Sequence, residues 1–157
     1  MTRRSIGLPA EGSTETRTAN ESCGNDDRSY YYEVLLMRAE RVAIVGSRTY
    51  PCPHRVYDFV DSLPVDTVVV SGGAPGVDTW AENAAWRRGL ARTIHVADWE
   101  KHGHGAGLRR NSSIVTDADR LVAFWDGKSP GTADTIRKAR AIGIPVEVIG
   151  IEPEVTR

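Results

Sequence analysis

The pattern of hydrophobic and polar positions changes near residue 41. From Arg41 to Ile149, short apolar runs alternate with stretches in which apolar residues return at helical spacing. Val42-Ala43-Ile44-Val45 is an uninterrupted apolar run ended by Gly46, the pattern of a strand covered on both faces. His54 to Leu63 places Val56, Phe59, Val60 and Leu63 along one side of a helix. Thr67 to Val70 reads as a second strand, closed by Ser71-Gly72-Gly73. Val77 to Arg88 reads as a helix with Val77, Ala81, Ala84 and Ala85 inward, and Gly89 caps its end. Thr93–Ala97, Leu121–Trp125 and Pro145–Ile149 read as the remaining strands. Helices fill the gaps between them: Leu108–Thr116, carrying Ile114 and Val115, and Thr132–Ile142, stopped by Gly143.

Five short strands alternating with four helices predict the α/β class, a Rossmann-like doubly wound sheet, five-stranded and mainly parallel, with helices on both faces. Right-handed crossovers put the carboxyl ends of the strands on one edge. The expected order is 3-2-1-4-5, with a crevice between strands one and four, where the order reverses and ligands bind. The domain is expected over 39–151, between an N-terminal extension (1–38) and a short tail (152–157). Residues 1–29 are rich in Ser, Thr, Glu, Asn, Gly and Arg, with Ile6 and Leu8 the only large apolar residues. Such a segment buries too little surface to offset its ordering entropy, so disorder is expected. Tyr30-Tyr31-Tyr32 through Leu36 is more apolar and is a candidate to pack on the domain or a partner. Met37, just before the fold, is a candidate start of translation.

A length of 157 residues with 40% hydrophobic content suits one domain with one real core. The net charge of -1 gives no broad attraction to nucleic acid, which disfavours that partner without excluding it. Cys23 and Cys52 form no CxxC pair and predict no disulfide framework. No apolar run approaches the ~20 residues of a membrane span, and no apolar core follows Arg3-Arg4 to make a secretory signal. A soluble, cytoplasmic protein is expected. His102 and His104 lack a third ligand nearby, so no metal is expected, and Lys101–Gly105 reads as a flexible polar loop.

Three of the strands end in unusual loops: Gly46-Ser47-Arg48, Ser71-Gly72-Gly73-Ala74-Pro75-Gly76-Val77-Asp78, and Asp126-Gly127-Lys128-Ser129-Pro130-Gly131-Thr132. Glycine lets a ligand approach the backbone N–H groups, and a helix starting after such a loop offers unpaired donors and a partial positive charge. Asp78 and Thr132 either face the ligand or cap their own helices, at ~1 kcal/mol each. Neither a Walker A loop nor a GxGxxG fingerprint is present. Arg110 and Asn111 open the helix before strand four, and a guanidinium suits bidentate phosphate or carboxylate contact. Trp99 and Trp125 lie near strand ends, placed to stack on a base or to pack as core. The candidate ligand-binding set is Gly46, Ser47, Arg48, Ser71, Gly72, Gly73, Gly76, Asp78, Arg110, Asn111, Asp126, Gly127, Ser129, Gly131 and Thr132. The expected partner is a small nucleotide-type ligand, and no further cofactor is expected.

Taken together, "VAIVGSR", "VVVSGGAPGVDTWAENAA", "ADWEKHGHGAGLRRN" and "ADRLVAFWDGKSPGTADTIRKA" resemble the SLOG superfamily of Smf/DprA- and LOG-related proteins, nearest to its cpYpsA-related branch. The resemblance implies a Rossmann-like fold that binds nucleotides or nucleotide-derived ligands, and a homodimer or higher homo-oligomer. Members of the wider group split a nucleoside monophosphate into base and ribose phosphate, sense ligands in bacterial and phage conflict systems, or bind single-stranded DNA. Compared with the phosphoribohydrolase branch, Arg110 matches an arginine, Asn111 replaces a lysine, and Gly131-Thr132 match a Gly-Thr pair. The position of that branch's glutamate holds Thr135. Asp134 is one residue early, which turns a side chain ~100° around a helix. A carboxylate would assist the oxocarbenium-like state of N-glycoside cleavage. Its loss from that position favours binding or sensing over hydrolysis. Arg110, Asp78 and Asp134 stay as the catalytic candidates, with Asp126 a further acid, and strand binding stays as a third reading.

Overall fold

The computed structural model describes residues 29–34 and 39–152. Its sheet is built from β1 (Arg41–Gly46), β2 (Val68–Ser71), β3 (Ala91–Ile94), β4 (Arg120–Phe124) and β5 (Val146–Ile149). The helices are α1 (Pro53–Asp61), α2 (Val77–Arg87), α3 (Trp99–His102), α4 (Ala106–Thr116) and α5 (Pro130–Ile142), with a 3-10 turn at Gly103–Gly105. The strand order is β3-β2-β1-β4-β5 and every pairing is parallel. The doubly wound α/β architecture and the reversal between β1 and β4 are therefore as the apolar pattern predicts.

The central strand explains the two-sided core. Val42 and Ile44 face α1 and α2 in one cluster with Val56, Val60, Val77, Ala81 and Phe124. Ala43 and Val45 face α4 and α5 in the other, with Ile114, Val115, Leu121, Ile136 and Ala139. Phe124 anchors the first cluster, edge-on to both Tyr50 (5.6 Å) and Phe59 (5.9 Å). Such aromatic pairs contribute about 1 kcal/mol beyond area burial. A side chain at Gly46 would place its Cβ 2.4 Å from the Phe124 carbonyl oxygen and 2.6 Å from Val77 Cγ2. Only glycine there lets the start of α2 lie against β1.

Two latches tie distant parts of the chain together. The Tyr50 hydroxyl (3.1 Å) and Arg55 Nη1 (2.9 Å) both donate to the Gly150 carbonyl after β5. At the opposite edge of the sheet, Arg41 donates to the Asp117 carboxylate at 2.6 Å and to Thr93 Oγ1 at 3.0 Å. His95 Nε2 lies 3.0 Å from the same carboxylate. Burial pushes the Asp117 carboxyl up, but the hydrogen bonds from Arg41 and His95 outweigh it and hold it below its usual range.

Four local expectations need correction. Lys101–Gly105 is not a loop: α3 and the 3-10 turn occupy it, started by the Asp98 carboxylate, which accepts from the Lys101 N–H at 2.9 Å. The third strand spans Ala91–Ile94, because its partner β2 ends at Ser71. Helix α5 starts two residues early, at Pro130, whose fixed φ suits a first helical position. Neither Asp78 nor Thr132 caps its helix; the cap residues are Gly76 and Ser129. Residues 29–34 are helical, and the rings of Tyr30, Tyr31 and Tyr32 are exposed. The rest of the extension, with Cys23 and the candidate start Met37, lies outside the described residues, as do residues 153–157. Among the described residues no helix is long and apolar enough to cross a membrane.

Candidate functional site

A cleft of about 450 Å³ opens at the carboxyl edge of the sheet, where β1 and β4 diverge. Its walls come from the loops after β1, β2 and β4 and from one side of α4. Of the residues singled out by sequence, Gly46, Arg48, Asp78, Arg110, Asn111, Asp126, Ser129, Gly131 and Thr132 line it. Ser47, Ser71, Gly72, Gly73, Gly76 and Gly127 do not line it; Ser47 and Ser71 are buried beside it, while Gly73 and Gly127 are exposed. Sequence reasoning did not select Thr49, Ala74, Lys128, Ile114 or Thr135, which also line the cleft.

The loop after β2 is held from within. The Asp78 carboxylate reaches back from the first turn of α2 and accepts from the Gly72 N–H at 3.0 Å and the Ala74 N–H at 3.4 Å. One turn later on the same helix face, Glu82 accepts from the Gly73 N–H at 3.1 Å and from the Ser71 hydroxyl. Gly76 closes the loop with φ +90°, and a Cβ there would lie 2.7 Å from the Arg48 carbonyl oxygen. The loops after β1 and β2 thus touch backbone to backbone. Burial pushes the Asp78 carboxyl up to about 6, against the opposing pull of the Arg110 guanidinium and the Gly72 and Ala74 N–H groups. Arg110 comes across from α4 and donates Nη1 to the Gly72 carbonyl at 2.9 Å. Its Nε is buried without a hydrogen-bond partner.

The loop after β4 is arranged differently. Asp126 Oδ1 accepts from the N–H groups of Lys128 and Ser129, both at 2.9 Å, folding 126–129 into a tight turn. Those two donors, Ser129 first, hold the Asp126 carboxyl down to about 2. The Asp126 N–H donates to Ser47 Oγ at 3.1 Å, which joins this turn to the loop after β1. No side chain caps α5, whose first turn carries Gly131 and Thr132 into the cleft wall. Among the described residues, the side chains of Arg48 and Lys128, both at the cleft, have no hydrogen-bond partner. The open terminus turns the N–H groups of its first turn and a partial positive charge toward the cleft, beside these two cations.

Two of the catalytic candidates separate here. Asp78 faces the cleft, but Asp134 does not line it. The Asp134 carboxylate is bonded to Asn111 Nδ2 (3.1 Å), Arg137 (2.6 Å) and Lys138 (2.8 Å). Burial pushes it up, and the hydrogen bonds from Lys138, Asn111 and Arg137 outweigh that and lower it. Asp134 is a brace between α4 and α5, seated through Asn111, which also donates to the Gly131 carbonyl at 3.2 Å. The cleft wall beside it is the buried Thr135, whose hydroxyl donates to the same carbonyl at 3.0 Å. Neither tryptophan near the strand ends lines the cleft. Trp125 donates Nε1 to the Ser129 carbonyl at 3.1 Å and packs on the second core cluster. Among the described residues no group of three or more His, Cys, Asp or Glu is placed to hold a metal ion.

A family model described as "YspA, cpYpsA-related SLOG family" matches residues 40–102, from β1 to the end of α3. The Gene 61 protein of Mycobacterium phage D29 is 42% identical over 123 residues, which cover 72% of this chain and 98% of that protein. The chain belongs to the YspA, cpYpsA-related SLOG family. The fold of this SLOG protein is similar to that of DNA processing protein A (DprA) from Streptococcus pneumoniae, with a TM-score of 0.63 at 20% identity. That match covers 76% of the SLOG chain and 53% of DprA, so the chain spans about half the length of that neighbour. DprA from Helicobacter pylori, described for its single-stranded DNA binding mode, matches with a TM-score of 0.58 at 20% identity over 77% of this chain and 70% of that one.

Proposed function

We propose that the cleft binds a nucleotide or nucleotide-derived ligand and that the domain acts as its sensor or processing unit. The observation that carries this reading is the uncapped start of α5 at the point where the strand order reverses. A phosphate fits there against the N–H groups of Gly131 and Thr132, with Lys128 and Arg48 supplying charge. Arg110 closes the far wall. Asp78, aimed into the same space and close to half-protonated near pH 6, suits a ribose hydroxyl as a partner. Hydrolysis draws less support, because Thr135 stands where a carboxylate would assist glycoside cleavage and Asp134 is committed to its brace. Calorimetry with nucleoside monophosphates at low salt tests the reading. Saturable binding that is lost in Lys128→Ala and Arg110→Ala is expected; no heat with any nucleotide overturns it.

A strand-binding reading draws on the fold likeness to the H. pylori protein. It needs a basic groove with aromatic platforms, and here the cations Arg48, Arg110 and Lys128 meet no lining aromatic ring. A gel shift with a short oligonucleotide at low salt separates the two readings.

A further inference from the structure

A second cavity, of about 310 Å³, lies on the other side of Arg110 from the main cleft. It is enclosed by the chain leaving β3, by α3 and by α4. Its polar lining is rich in nitrogen donors: Arg109 and Arg110 with His95 and His102, beside Ser113 and one acid, Asp98. Asp98 is already engaged, because its carboxylate caps α3. His95 is held from behind by Asp117. Among the described residues the side chains of His102 and Arg109 have no hydrogen-bond partner. Arg110 lines both cavities, is fixed by one nitrogen to the Gly72 carbonyl, and keeps a buried Nε with none. Two guanidinium groups and two imidazoles therefore border a space that holds a single carboxylate, one oxygen of which is taken by the start of α3. The apolar rim, Ile94 and Val96, is 41% and 77% exposed and flanks Gly73, a surface against which a flat group can lie.

The geometry points to a second anion subsite here, contiguous with the first through Arg110, so that the ligand is a dinucleotide with one phosphoryl group on each side of that arginine. This rests on the nucleotide-binding reading of the main cleft and adds the ligand class. Each cavity is of the order of the ~300–1,000 Å³ that holds a small ligand. A mononucleotide fills only one of them. His102 and Arg109 then act on specificity, because they touch only the second half of the ligand.

Calorimetry on the full chain compares nucleoside 5′-monophosphates, 5′-phosphorylated linear dinucleotides and a twelve-residue single-stranded oligonucleotide. The dinucleotide is expected to bind at least ~10-fold more tightly than its monophosphate, the worth of one charge-assisted contact. Arg109→Ala and His102→Ala, each checked by thermal melting, are expected to remove that gain and leave monophosphate affinity unchanged. Equal affinity for the two ligands, or an equal loss for both in these variants, overturns the second subsite and leaves the first standing. Failure of every nucleotide to bind overturns both. An oligonucleotide that binds more tightly than the dinucleotide, with a steep salt dependence, replaces the small ligand by a strand.

Discussion

The loops after β2 and β4 are both rich in glycine and both run into a helix, but their donors go to different partners. In 71–76 the N–H groups of Gly72, Gly73 and Ala74 are taken by Asp78 and Glu82, two carboxylates of the same chain. In 126–132 the single acid, Asp126, takes the N–H groups of Lys128 and Ser129 and stops there. The helix that follows is left open. In the first loop the acids of the next helix take the N–H donors, and in the second the acid takes only its own turn and leaves the donors of the next helix open, as a socket. Glycine content alone does not separate them. The acids that follow in the next helix do.

This contrast can be broken by substitution, since changes in the first loop should alter stability and changes in the socket should cost affinity. The largest effect is expected for Gly76→Ala. Strain at positive φ together with the approach to the Arg48 backbone should cost about 2–4 kcal/mol in denaturant unfolding. An unchanged midpoint would show that the two loops do not brace each other. Next comes Glu82→Ala, which leaves the Ser71 hydroxyl and the Gly73 N–H without an acceptor. A loss of about 1–3 kcal/mol is expected, most of it restored by Glu82→Gln.

Asp78→Asn sharpens the comparison through pH. The folded-state value is raised from 3.8 to about 6, so between those values the folded protein holds more protons than the unfolded chain. Native stability therefore falls as pH rises through about 4 to 6 and levels off above. The variant lacks that slope and should be the more stable protein above pH 6, by up to about 2 kcal/mol. Parallel stability–pH curves for the two proteins would contradict the buried, strained carboxylate. The smallest effect on stability belongs to the socket. Lys128→Ala should unfold within about 0.5 kcal/mol of the parent, while its nucleotide affinity falls. A stability loss as large as that of Glu82→Ala would show that this loop is braced too.

Much of this was legible in the chain. Short β-branched apolar runs closed by glycine, such as Val42–Val45 before Gly46, suit a strand covered on both faces, and their alternation with helical stretches points to a parallel sheet. The cleft residues follow, because strand ends meet at one edge. The short helix Trp99–His102 was not legible from periodicity, since four residues carry no apolar repeat; the one signal was Asp98 at cap spacing from Lys101. Glu82 was overlooked for a different reason. It lies on α2 well after the glycines, and only its i,i+4 relation to Asp78 hints that both point back at the same loop. Asp134 looked available for chemistry, but the basic pair Arg137 and Lys138 in the following turn could have identified it as a brace.

The grip of Tyr50 and Arg55 on the Gly150 carbonyl has a practical consequence. Tyr50 directly follows Thr49, a cleft residue, so the point where the chain leaves the sheet is tied one residue away from the cleft wall. Arg55 also contacts Glu152 at 3.3 Å, so a fluorophore attached at Glu152 reports on the latch. A substitution that cuts this latch is therefore made next to the cleft wall, although the carbonyl it releases lies far along the chain in sequence.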